Sequence, residues 1–321
     1  LNIAIAGGGV AGIVAAYLLQ QRHQVTLFEK NDYVGGHTHT VPVPHGPDAG
    51  TMVDTGFIVH NDRTYPNFIK FLGGVPTRVP VYEQDGFRLR VEAIRERISH
   101  NTKAILINSP SNPTGCLISE ADMKAIAGLS PYIISDEIYH GLVYEGQEHS
   151  ILEFTDRAFV LNGFSKLYAM TGYRLGYLIA PPEFIRPIQK MQQNFFICAG
   201  SLAQRAGIAA LHDCEAEVEE MKQIYNRRRK FMIKRLKELG FSITVEPTGA
   251  FYVFANARSF SSDSYRLAFD ILEKAHVGVT PGVDFGKNGE GYLRFSYANS
   301  IENIEEGLNR LERYLKEASW L

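Results

Sequence analysis

Three short apolar runs constrain this chain more than any other feature: Lys103–Asn108, Tyr132–Ser135 and Ala158–Asn162. Each is a continuous apolar stretch, too short for a helix, and each ends in polar residues. That pattern suits strands buried on both faces of a parallel sheet. Gly176–Ala180 reads as a fourth such strand. Helical patterns alternate with them. Ser119–Ala127 opens on Ser119 with Asp122 three residues on, a capping-box-like start. His212–Leu239 reads as one long helix, closed by Gly240 as a left-handed cap. Phe241–Val245, Ala250–Ala255 and Tyr292–Tyr297 read as strands of a smaller C-terminal subdomain. A last helix begins near Asn299 or Ser300 and places Ile304, Leu308, Leu311 and Leu315 on one face. The expected fold is therefore α/β, a largely parallel sheet with helices on both sides and a smaller α+β subdomain after it.

Polar residues stand where these strands stop. Asn112 follows the first run, Asp136 the second and Lys166 the third. In open α/β sheets ligands bind outside the carboxyl ends of the strands, so these groups can converge on one crevice. An amine, a carboxylate and an amide donor make up the set that pyridoxal phosphate requires. The amine forms a Schiff base, the acid keeps the pyridine nitrogen protonated, and donors hold the ring oxygen. A cation for the phosphate completes it.

Residues from about 73 to 321 resemble the class I/II aminotransferases, which are pyridoxal-phosphate enzymes of fold type I. The resemblance runs through Ser109-Pro110-Ser111-Asn112-Pro113-Thr114-Gly115, Ser135-Asp136-Glu137-Ile138-Tyr139, Phe164-Ser165-Lys166, Thr171-Gly172-Tyr173-Arg174-Leu175-Gly176-Tyr177 and Tyr292-Leu293-Arg294-Phe295-Ser296. It implies that Lys166 is the Schiff-base lysine and that Asp136 pairs with the pyridine nitrogen. Asn112 and Tyr139 would bond the ring oxygen, Arg174 would hold the cofactor phosphate, Ser165 would also bind the cofactor, and Arg294 would grip the substrate α-carboxylate. The activity implied is transfer of an amino group between an amino acid and a 2-oxo acid, in a homodimer. Two departures stand out. Gly163 occupies a position where the family often has a phosphate-binding Ser. The family's N-terminal part, with its phosphate-cradling loop and ring-stacking aromatic, has no counterpart, which implies an impaired site.

The first 72 residues follow a different grammar. Leu1–Ala6 reads as a strand, Ala11–Arg22 as a helix and Gln24–Phe28 as a second strand. Gly7, Gly9 and Gly12 form a GxGxxG turn between the first two, and Glu29 stands 22 residues after Gly7. Such a turn brings a pyrophosphate to a helix N-terminus, with the acid on a ribose hydroxyl. Thr51–Asp54 and Phe57–Val59 read as short strands and Tyr65–Leu72 as a helical piece. This segment resembles the N-terminus of FAD-dependent amine-oxidase-like flavoproteins, through Phe28-Glu29-Lys30-Asn31-Asp32-Tyr33-Val34-Gly35-Gly36-His37 and Val53-Asp54-Thr55-Gly56-Phe57. Gly35 and Gly36 would lie against the flavin. FAD is thus a second candidate cofactor and a flavin-dependent oxidoreductase an alternative function. A non-catalytic hybrid of two half-genes is the third. The division expected is a Rossmann-like fragment over 1–72, a truncated cofactor-binding domain over 73–210 and a C-terminal domain over 211–321.

Composition narrows the partners. With 33 Lys and Arg against 35 Asp and Glu, the net charge of −2 gives no electrostatic basis for binding nucleic acid. No apolar run reaches the roughly 18 residues of a membrane span. Cys116, Cys198 and Cys214 are widely spaced and make no zinc pattern, nor do His37 and His39, so no metal is expected. A reducing, cytoplasmic setting follows from the same cysteines. The opening run lacks the basic lead of a signal peptide and reads as a strand of a chain whose first residues are missing. The basic run Arg227–Lys230 reads as a solvated helix face. Phe195, Phe196 and Tyr252 read as core aromatics.

Overall fold

The computed structural model describes residues 2–6, 20, 22, 24–28, 40–42, 52–54, 74–195 and 197–318. The chain divides into two units, Leu1–Tyr65 and Pro66–Leu321. In the first, β1 (Asn2–Ala6) pairs in parallel with β2 (Gln24–Phe28), and β3 (Thr40–Pro42) pairs antiparallel with β4 (Met52–Asp54). The expected helix at 11–22, the strand at 57–59 and the helical piece at 65–72 lie outside the described residues, as do Gly7, Gly9, Gly12, Glu29, Gly35, Gly36, His37 and His39.

The second unit opens with a short helix α1 (Val91–Arg95), then β5 (Ala104–Asn108), α2 (Glu120–Ala127), β6 (Tyr132–Asp136), β7 (Ala158–Gly163) and β8 (Gly176–Ile179). The sheet order is β5-β6-β7-β8. Alternate side chains of β5 to β7 point into one core, where Ile107, Ile133, Ala158 and Val160 meet Met123 and Ile126 of α2. The Ser119 hydroxyl accepts from the Asp122 amide at 3.2 Å and caps α2, as the sequence pattern requires. The opposite sheet face is partly open, with Leu106 55 % and Leu161 40 % exposed.

Two expectations about this region are corrected. β8 runs antiparallel to β7, and all four of its residues are exposed, so it is an edge strand and not a buried parallel one. The long helix expected over His212–Leu239 begins three residues later than expected, because His212 and Asp213 belong to a preceding helix. After α3 (Pro182–Phe195), α4 (Ser201–Asp213) ends at Cys214, whose φ of −113° and ψ of 23° break the helix, and α5 (Glu215–Glu238) begins. Gly240 follows α5 at φ +87° in the left-handed region.

The remaining elements are β9 (Tyr252–Asn256), α6 (Ser264–Ala275), β10 (Thr280–Pro281), β11 (Tyr292–Ser296) and α7 (Ile301–Glu317). The three strands form an antiparallel sheet in the order β10-β11-β9. Leu236, Val253, Ile271, Leu293, Leu308 and Leu311 fill the core between that sheet and helices α5 to α7. The strand expected over Phe241–Val245 is reduced to an isolated bridge between Ser242 and Asn256. Within the basic run on α5, Arg229 is only 1 % exposed, against the expected solvated face. It donates to the Pro247 carbonyl at 2.6 Å and to Asn226 Oδ1 at 3.0 Å, and it pairs with Glu145.

Candidate active site

The C-terminal ends of β5, β6 and β7 stand side by side in register, Asn108 beside Asp136 and Asp136 beside Leu161. The loop after β5 is tied to β6. Asn108 Nδ2 donates to the Asp136 carbonyl at 2.9 Å, and Asn108 Oδ1 accepts from the Asn112 amide at 2.8 Å. Gly115 closes this loop at φ +67°, and a Cβ there would meet Pro247 and lie 2.8 Å from the Gly249 carbonyl. Only glycine permits that approach. The Asn112 loop is thereby held against the turn that leads into β9, and the Gly249 amide donates to the Gly115 carbonyl at 2.8 Å.

Asp136 ends β6 half-buried, its Oδ1 accepting from the Ile138 amide at 3.2 Å. Burial pushes its carboxyl above the ordinary range; the neighbouring Glu137 adds to this, while Lys166 opposes it. Tyr139 is 2 % exposed, and its hydroxyl lies 3.0 Å from that of Tyr252. Burial, then Tyr252, push the Tyr139 phenol far up, so it stays protonated. Lys166 follows β7. Its Nζ is 5.7 Å from the Tyr139 ring centroid and 5.5 Å from that of Phe251. Burial, then the charges of Arg294 and Arg174, lower the Lys166 ammonium pKa and favour the neutral amine.

Arg174 sits at φ +52° after a 3-10 turn, exposed, with Nη1 donating to the Thr171 carbonyl at 3.1 Å. The Ser165 carbonyl accepts the Thr171 hydroxyl at 3.4 Å. At Gly163 a Cβ would stand 2.9 Å from Gly176 Cα and 3.0 Å from the Leu175 carbonyl oxygen. The two backbones approach too closely for the serine that the resemblance leads one to look for.

Arg294 on β11 enters from the antiparallel sheet. Its Nη1 donates to Asn112 Oδ1 at 2.7 Å and its Nη2 to Thr280 Oγ1 at 3.1 Å. The guanidinium carbon lies 4.2 Å from the Tyr252 ring centroid and 5.0 Å from that of Phe285. Arg294 Nε is buried with no hydrogen-bond partner. A buried, unpaired N–H on a cation costs on the order of 1–3 kcal/mol, and a planar oxyanion such as a carboxylate is the ligand that relieves it.

Asn112, Asp136, Tyr139, Lys166 and Arg294 are thus joined by direct contacts or adjacent strand ends, and the Arg174 charge reaches Lys166. Sequence reasoning missed Tyr252 and Phe285 as members of the cluster. No local signal marks Tyr252; the strand register places it, since β9 pairs Phe254 with Arg294 and Tyr252 lies diagonally beside Arg294 on one sheet face. Among the described residues no group of His, Cys, Asp or Glu could hold a metal ion. The contents of the cluster fit pyridoxal phosphate. They offer a half-buried amine with a lowered pKa, a carboxylate for the ring nitrogen, a protonated phenol and an amide for the ring oxygen, and an arginine for the phosphate.

Comparison with known proteins agrees. Residues 58–311 match the family "Aminotransferase class I and II", and residues 5–74 match an NAD(P)-binding Rossmann-like domain. A (5-formylfuran-3-yl)methyl phosphate transaminase of Methanocaldococcus jannaschii is 44% identical over 255 residues, covering 78% of this chain and 66% of that protein. An aspartate aminotransferase of Pyrococcus abyssi is 40% identical over 264 residues, covering 79% of this chain and 68% of that protein. The crystal structure of an aromatic aminotransferase from Pyrococcus horikoshii superposes with a TM-score of 0.77 at 39% identity, covering 81% of this chain and 72% of that one. The chain spans about two thirds of the length of the relatives it matches.

Proposed function

The chain belongs to the class I and II aminotransferase family, and from that premise we propose that it transfers an amino group between an amino acid and a 2-oxo acid with pyridoxal 5′-phosphate. The observation that carries this reading is Arg294: a buried guanidinium with an unpaired Nε, bonded to Asn112, in the same cluster as Lys166 and Asp136. When bound, the cofactor supplies a protonated ring nitrogen that draws electrons away from the substrate α-carbon. The rest is the work of side chains. Asp136 holds the charge on that nitrogen. Its carboxyl, raised by burial, gains a cationic partner there. Tyr139 and Asn112 donate to the ring oxygen, Arg174 holds the phosphate, and Ser165, next to Lys166, belongs to the cofactor-binding set. Lys166 attaches the cofactor through its amine. That amine would also take a proton from the substrate α-carbon as general base and, as the ammonium so formed, give it back as general acid. The neutral amine is needed to attach the cofactor and to take the proton, and burial favours it. Arg294 fixes the substrate α-carboxylate, and the rings of Tyr252 and Phe285 keep water from the guanidinium faces.

The domain limits at 72 and 210, a homodimer and a cytoplasmic setting belong to the same proposal; among the described residues no helix is long and apolar enough to cross a membrane. Residues 5–74 carry a second reading by themselves, nucleotide binding through Gly7, Gly9, Gly12 and Glu29. It is favoured by the family match there, whose description names NAD(P) and not FAD. Equilibrium dialysis against each dinucleotide tests it.

The test of the main reading is the visible spectrum with pyridoxal phosphate, followed by borohydride reduction and peptide mapping. A reduced adduct on Lys166, with amino-acid-dependent spectral change, is the expected result. Absence of an adduct on Lys166 would sink the proposal and leave the non-catalytic hybrid.

A further inference from the structure

We propose that Tyr252 is a positioning residue that couples the carboxylate-binding Arg294 to the phenol of Tyr139, a role that rests on the aminotransferase reading above. Tyr252 touches both partners with different parts of one side chain. Its hydroxyl lies 3.0 Å from the Tyr139 hydroxyl, with the two rings 5.9 Å apart at 80°. Its ring face carries the Arg294 guanidinium at 4.2 Å. Neither partner has room to leave. Phe251 packs edge-on against Tyr139 at 5.5 Å, and Phe285 covers Arg294 at 5.0 Å. Tyr252 itself is 8 % exposed and is fixed by the β9–β11 register.

Between two hydroxyls at hydrogen-bond distance, one donates and the other accepts. When Tyr139 donates to a ligand oxygen, Tyr252 is the group that must donate to Tyr139. A guanidinium on the face of a phenol draws on its π-electrons and makes the hydroxyl a stronger donor. A carboxylate arriving on Arg294 neutralises that pull. The bond from Tyr252 to Tyr139 then weakens, and the donation from Tyr139 onward weakens with it, because linked hydrogen bonds polarise one another. Occupancy of the carboxylate site is thereby reported to the ring-oxygen site through a single phenol. The other charged and titratable groups facing the pair are Lys166, Asp136, Tyr225 of α5, and Asp284 beside Arg294.

Tyr252→Phe keeps the ring, the core and the stacking surface and removes only the hydroxyl. The first arm uses the full chain without cofactor, with tyrosines carrying carbon-13 at the ring carbon that bears oxygen. Tyr252→Phe and Tyr139→Phe assign the two NMR signals. Titration with 2-oxoglutarate is expected to move the Tyr139 signal in the unsubstituted protein and to leave it nearly still in Tyr252→Phe. Equal movement in both proteins, or movement in neither, overturns the coupling. The second arm uses the protein loaded with pyridoxal phosphate. A weaker donation from Tyr139 leaves more negative charge on the ring oxygen, so the nitrogen linked to Lys166 keeps its proton to higher pH. The pH midpoint of the visible band is expected to rise by about half a unit or more in Tyr252→Phe, the size set by loss of one hydrogen bond in a linked pair. An unmoved midpoint likewise overturns the proposal. A chain that forms no adduct on Lys166 refutes the aminotransferase reading, and the first arm then decides the coupling alone.

Discussion

Arg294 Nη1 donates to Asn112 Oδ1 at 2.7 Å, across 182 residues of sequence. The bond joins the loop after β5 to the middle of β11, and so ties the parallel sheet to the antiparallel one at the site itself. It also spends one donor of the guanidinium on an amide while Nε stays unpaired. Lysine has neither the planar fork nor enough donors in fixed directions to serve Asn112, Thr280 and a carboxylate together. Arg294→Lys is expected to raise KM for the amino acid by roughly 10- to 100-fold, the equivalent of one lost charge-assisted bond. Adduct formation on Lys166 should survive. Steady-state kinetics beside the borohydride assay checks both halves. A KM that does not move would remove Arg294 from the substrate site.

Asp136 gives a pH prediction. Burial raises its carboxyl in the unloaded chain, with Glu137 adding to the effect. The ionised form is the one that holds a protonated ring nitrogen, so affinity for pyridoxal phosphate should rise as pH climbs through that raised value and fall below it. Asp136→Asn keeps the shape and the acceptor for the Ile138 amide but removes the charge. It should abolish this acidic limb and lower the rate by about 100- to 1000-fold, the usual size of one lost electrostatic partner in a dry site. Dissociation constants measured across pH for both proteins decide the matter; two parallel curves would contradict the role.

Gly163 is the position where the family resemblance invites a serine. A Cβ there stands 2.9 Å from Gly176 Cα and 3.0 Å from the Leu175 carbonyl oxygen, both backbone atoms with no rotamer to relax. Gly163→Ser should therefore part β7 from β8 and cost about 1–3 kcal/mol, read from urea unfolding. A serine variant as stable as the parent would show that the edge strand gives way without cost.

Much of this was legible from local chemistry. Ser119, Ser300 and Gly240 mark helix ends through their own side chain or backbone, so they can be read without knowing the fold. Asn112, Asp136 and Lys166 stand out because each lies at or just after the end of an apolar run. What failed depended on partners distant in sequence. Gly176–Ile179 is apolar enough for a buried parallel strand, but direction is set by the connection, and here the chain returns antiparallel at an edge. Nothing local at Cys214 signals a helix break, so the start of α5 was read three residues early, into the end of α4. Arg229 looks like any surface arginine until Glu145 and the Pro247 carbonyl are placed around it. Tyr252 reads as core because it is buried. Its second role needs the register of β9 against β11.

Glu83 supplies the last prediction. Its carboxylate accepts from Thr244 Oγ1 at 2.7 Å, Asn256 Nδ2 at 2.9 Å and Tyr292 Oη at 2.6 Å. The 3-10 turn Glu83–Asp85 is thereby clamped onto the antiparallel sheet, and Phe87 packs edge-on against Tyr292 beside it. Burial pushes the Glu83 carboxyl up, but the bonds from Tyr292, Thr244 and Asn256 outweigh it and hold the group below its ordinary 4.5. A depressed carboxylate stabilises the fold fully above its unfolded value, and that contribution is lost as pH falls through the lower folded value. Glu83→Gln presents an N–H₂ to groups that already donate, so it should cost about 1–2 kcal/mol at pH 7. The gap should narrow as pH drops below 4.5 and the parent's own clamp protonates. Urea unfolding of both proteins at pH 7 and near the acid end of the folded range measures it. A gap independent of pH would mean that the charge of Glu83 does not hold the clamp.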